Sequence, residues 1–171
     1  GQSGGAGQAG QSGQAGQAGA ESPALMAAVR QPAPPATPSF ADVPPLDRNL
    51  LERGSFATLM GAMHGMVERC EPATQMREQA LKTYRATYPV VDLDRNERDS
   101  PTARLRVDED FARSAAATLG SDRVNCDYVR SQSYGWNQLV GDLRHMNRDS
   151  ARQYRPGLIT EIARGAGLGN L

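Results

Sequence analysis

Lysine is almost missing from this chain: Lys82 stands alone, and arginine carries nearly all the positive charge. Acidic and basic residues balance at 19 each, so no basic stripe tracks a phosphate backbone and no acidic block forms a charged tail. A nucleic-acid partner is therefore not expected. No apolar run approaches the roughly 20 residues that a membrane-spanning helix needs. Signal-peptide patterning is lacking too, and the opening on Gly1 is compatible with prior removal of an upstream segment. Strand-like patterning is confined to Tyr88 to Leu93. Imidazole chemistry has only His64 and His145 to draw on. No C-x-x-C, H-E-x-x-H, phosphate-binding loop, G-x-S-x-G elbow or strand-borne G-x-G-x-x-G occurs. Neither an enzyme nor a bound cofactor is expected.

What is present divides the chain unevenly. Residues 1–21 are a Gly/Gln/Ala/Ser tract with glycine at every third position from Gly1 to Gly19. Without proline this is not a collagen repeat, and it reads as a disordered, flexible tether. Residues 22–54 form a proline-rich spacer, in which Ser22 to Val29 carries the start signals of a short helix. Phe40, Val43 and Leu46 are placed to pin the spacer to the helical domain. That domain occupies residues 55–165, and 166–171 are a tail expected to fray.

The domain centres on Ser55 to Cys70. Phe56, Leu59, Met60, Met63, Met66, Val67 and Cys70 make one helical stripe, with Ser55 as its cap. Ala57, Gly61 and Gly65 repeat every fourth residue and offer a thin face to a neighbouring helix. A second helix is expected from Pro72 to the residue before Pro89. A third opens at Pro101 behind Ser100, with Leu105, Phe111, Ala112, Ala115, Ala116 and Leu119 as its apolar side. A fourth, behind Ser121, carries Cys126, Val129, Ser133, Trp136, Val140 and Leu143 in one stripe, with a break near Gly135 allowed for. A short last helix runs from Pro156 to Arg164. The fold class is thus all-α: a small irregular bundle of about four to five helices.

Cys70 and Cys126 are the only cysteines, and each lies near a helix end. Joined, they close a loop of about 56 residues, worth roughly 4 kcal/mol in the chain-entropy treatment. Such a bond persists in an oxidising compartment. Met60, Met63, His64 and Met66 have the soft ligands that suit Cu(I), though methionine on a core stripe is ordinarily filler. Asp92, Asp94 and Asn96 match the opening positions of a calcium loop, but Glu97 and Ala103 stand where the turn glycine and closing glutamate belong. Asp108, Glu109 and Asp110 are the acids a glycan hydrolase would draw on. Tyr134, off the stripe, and Trp136, on it, are the aromatic candidates for contact with a partner.

A tether, a spacer and a small disulfide-bonded helical domain resemble the build of bacterial cell-envelope lipoproteins and periplasmic helical proteins. The resemblance is one of architecture, without diagnostic residues. It implies a periplasmic, secreted or outer-membrane-lipoprotein location, with membrane attachment only through an N-terminal lipid. The expected role is a non-enzymatic binding protein that engages another envelope or secreted protein, as pilotins, chaperones and immunity proteins do. A periplasmic copper or calcium binder and an envelope hydrolase are the alternatives.

Overall fold

The helix at Ser55 to Cys70 forms where the stripe places it, and every residue from Phe56 to Met63 is buried. The computed structural model describes residues 43–169. Among them are seven α-helices, one 3-10 turn and no strand. They are α1 Arg48–Arg53, α2 Phe56–Cys70, α3 Thr74–Asp92, the turn Glu97–Asp99, α4 Pro101–Leu119, α5 Cys126–Leu143, α6 Arg148–Arg152 and α7 Arg155–Gly165. None of these helices is long and apolar enough to cross a membrane. The expected tether and the short helix at Ser22 to Val29 lie outside the described residues.

Helix α2 packs against α3, α4, α5 and α7. A helix covered on most of its sides has to be apolar over most of its surface, and only Glu68 and Arg69 of α2 are exposed. Met60, Met63 and Met66 are fully buried, each worth roughly 2 kcal/mol of burial. The thin face does what small residues allow. A Cβ on Gly61 would collide with the Phe111 carbonyl, and one on Gly65 with the Ala115 carbonyl and the Thr118 hydroxyl. Helix α4 therefore lies directly on the α2 backbone, and Thr118 Oγ1 donates to the Ala62 carbonyl at 3.0 Å.

The N–H groups of the first three residues of α2 have side-chain acceptors, and the first intrahelical bond closes behind them. The Asp92 carboxylate accepts from Phe56 N at 2.7 Å and Ala57 N at 2.8 Å. Ser55 Oγ accepts from Thr58 N at 3.1 Å, and the Ser55 carbonyl from Leu59 N at 3.2 Å. This satisfies donors that a buried helix end would otherwise leave orphaned. Asp92 can do so because α3 runs past Pro89 to Asp92, not stopping before the proline as expected. Proline removes one donor three residues from the helix end, and burial of Val91 and Leu93 beyond it holds the helical course. The same helix begins at Thr74, two residues later than Pro72.

Other boundaries differ for equally local reasons. The stretch assigned to the spacer contains α1, capped by Asp47, and it buries Leu46 and Leu51 in the core. Arg155 fixes α1 from below, donating to the carbonyls of Leu51 at 2.7 Å and of Gly54, with its guanidinium 5.5 Å from the Phe56 ring centroid. Helix α5 is capped by Asn125, not Ser121, and continues through Gly135 unbroken. Gly167, at φ +72, turns the chain so that Leu168 N reaches the Ala163 carbonyl at 3.0 Å. Ala166 is buried and Leu168 packs on the core.

Candidate functional site

The sulfurs of Cys70 and Cys126 are bonded at 2.04 Å, tying the end of α2 to the first residue of α5. The remaining sequence candidates fall in different places. Met60, Met63 and Met66 point into the core, whereas His64 is half-buried at its edge. Asp92 caps α2, and Asp94 accepts from Glu97 N at 2.8 Å, so both carboxylates serve backbone donors. Asn96 is exposed in the same loop. Among the described residues no group of three or more His, Cys, Asp and Glu side chains converges as a metal site. Trp136 is buried, its Nε1 donating to Glu161 Oε1 at 3.0 Å, which withdraws it from any surface role. Tyr134 is 63% exposed on the outer face of α5.

The acidic run is split by the helix it rides on. Asp110 accepts from Ser55 Oγ at 2.9 Å, beside the start of α2. Glu109 is exposed. Asp108 points into a cleft of about 470 Å³ between α2, α3 and α4, whose other principal walls are His64, Arg85, Tyr88, Arg104 and Phe111. Residues from three helices meet here because α2 and α4 approach so closely that the side chains flanking their seam are forced outward against α3.

Phe111 is the floor. Tyr88 stacks on it at 5.1 Å, His64 leans over it at 5.5 Å, and the Arg85 guanidinium lies 5.9 Å from its centroid. A guanidinium over an aromatic face keeps its charge while losing little solvation. The Tyr88 hydroxyl donates a hydrogen bond to Asp108 Oδ1. Burial and that acceptor both push the phenol far above its ordinary titration range, so it stays protonated. His64 is shifted down, chiefly by burial, with Arg85 adding to the shift and Glu68, 3.8 Å away, opposing it. Its imidazole is neutral at pH 7. Neither Arg85 nor Arg104 forms an ion pair among the described residues, and both are exposed at the mouth.

The expected apolar side of α4 faces the core only in part: Phe111 is buried and Ala115 packs on Gly65, whereas Leu105 and Leu119 are turned outward. The buried positions are Ala103, Val107, Phe111, Ser114 and Thr118. Leu105 and Leu119 are 58% and 45% exposed, and with Ala112 and Ala116 they make an outward stripe. The reason is geometric: contact with Gly61 and Gly65 selects the α4 face that carries small and hydroxyl side chains, and the larger leucines are displaced. Arg85, Tyr88 and Arg104 were not singled out by the sequence, since single arginines and tyrosines on helix faces carry no spacing signal. No protein-family model matches the chain, and neither a curated protein nor a solved structure matches it.

Proposed function

We propose that this chain is a non-enzymatic binding protein of the bacterial cell envelope, and that it holds an acidic, apolar segment of a protein partner in the α2–α3–α4 cleft. The observation that carries the reading is a pair of exposed guanidinium groups, Arg85 and Arg104, without an ion pair among the described residues, at the mouth of a cleft floored by Phe111. Arginine offers a planar fork to a carboxylate, and the adjoining stripe of Leu105, Ala112, Ala116 and Leu119 offers apolar surface to the flanking residues. The titratable groups of the cleft favour holding over reacting. The Tyr88 hydroxyl keeps its proton and donates it in a hydrogen bond to Asp108, whose carboxylate is thereby engaged. The disulfide and the repetitive glycine tract support an oxidising, envelope location.

The test is capture by the full, disulfide-bonded chain carrying a photocrosslinker at Ala112, in envelope extract. One specific protein should be trapped through an acidic segment, and Arg85→Glu with Arg104→Glu should abolish the trapping while the fold is retained. Trapping that survives both charge reversals, or turnover of a substrate by the purified chain, would remove the proposal.

A further inference from the structure

A second cavity, sharing no residue with the cleft above, opens where the end of α3, the 3-10 turn and α6 come together. Its volume is about 550 Å³, and three arginines line it: Arg98 from the turn, and Arg148 and Arg152 from α6. The geometry points to a binding site for a small organic phosphate ester.

Two of the three guanidinium groups are set in different ways for an anion. Arg98 donates through Nε to the Leu93 carbonyl at 3.3 Å and through Nη2 to the Val90 carbonyl at 3.1 Å. Those bonds fix its plane before any ligand arrives and leave Nη1 uncommitted, so little side-chain freedom remains to be lost on binding. Arg148 has its Nε buried without an acceptor among the described residues. The side chain is only half-buried, so the guanidinium is short of one hydrogen bond without being cut off from the cavity, and a ligand oxygen against its outer nitrogens offsets that loss. Arg152 is 61% exposed and only 3.5 Å from Asp149, whose own side chain is 91% exposed, so this pair is loose and solvent-screened.

Three cations against one carboxylate leave an excess of two positive charges, which matches a phosphate monoester better than a single carboxylate. Val90 and Met146 complete the wall on the apolar side. A volume in the range of small-molecule sites, with apolar lining beside the cations, fits an organic group attached to the phosphate.

Calorimetry on the full, disulfide-bonded chain at low salt tests this with three probes: glycerol phosphate, inorganic phosphate, and vesicles of phosphatidylglycerol in phosphatidylcholine. Glycerol phosphate should bind saturably at one site, more tightly than inorganic phosphate. Arg148→Gln and Arg152→Gln should each weaken it ~10-fold or more with the circular dichroism unchanged. Arg152 is exposed enough for its variant to fold even where the Arg148 variant does not. Binding unaffected by the Arg152 change, equal binding of inorganic phosphate, or binding to vesicles alone would overturn the assignment.

Discussion

Adding one methyl group at Gly65 should cost this protein stability, whereas the same methyl at Gly135 should raise it. Both glycines lie inside helices, so each alanine gains about 1 kcal/mol of helix propensity. At Gly135 nothing lies within 4 Å of the new carbon, and the gain stands. At Gly65 the methyl meets the Ala115 carbonyl and the Thr118 hydroxyl. A backbone carbonyl cannot swing aside as a side chain can, so α4 must move off α2. Overpacking of this kind costs roughly 1–3 kcal/mol, and losing the Thr118 bond to the Ala62 carbonyl adds about 1 kcal/mol. The net expectation is a loss of about 2 kcal/mol for Gly65→Ala. Because the propensity gain is common to both variants, the difference between them, about 3 kcal/mol, isolates the packing cost. Urea unfolding at equal slope reads it directly as a midpoint difference of ~1 M or more. Thr118→Ala placed on Gly65→Ala should recover only part of the loss, since the Ala115 carbonyl remains in the way. If Gly65→Ala proved as stable as the parent, the close seam between α2 and α4 would be wrong, and with it the origin of the cleft.

Three other perturbations have outcomes set by the same packing. Breaking the 56-residue link by Cys70→Ser with Cys126→Ser should lower unfolding stability by about 4 kcal/mol, and a loss below about 1 kcal/mol would deny the bond a stabilising role. Asp92 is pushed up to about 6 from 3.8, mainly by burial, with the two α2 amides and Arg155 opposing and Asp110 assisting. Between those values the folded chain binds the extra proton, so the Asp92 contribution to stability grows as pH falls through 6 and is complete below 3.8. The stability difference between the parent and Asp92→Asn should therefore move toward the parent by roughly 2 kcal/mol from pH 7 to pH 4; a flat difference refutes it. Tyr84 is fully buried with a hydroxyl that has no partner among the described residues, so Tyr84→Phe should be neutral or stabilising by about 1 kcal/mol in thermal unfolding, and a clear loss would show that the hydroxyl is satisfied after all.

Periodicity alone determined the all-helical class, the α2 stripe, the α5 stripe, the Ser55 and Ser100 caps, and the helix that ends at Leu119. These are local properties: side chains three and four residues apart share a face wherever the chain is helical. The cysteines could be paired from their number, and their place at helix ends was legible as well. Tertiary structure decided the rest. Which face of α4 turns inward depended on the carbonyls of Phe111 and Ala115 fitting against Gly61 and Gly65, a matter of backbone clearance that hydrophobicity does not record. Asp92 became a helix cap, not a calcium ligand candidate alone, because the end of α3 is brought to the start of α2, 36 residues away along the chain. Arg85, Arg104 and Asp108 gather at one cleft for the same reason: three helices converge there, and convergence between distant segments is set by packing, which no spacing along the chain can express.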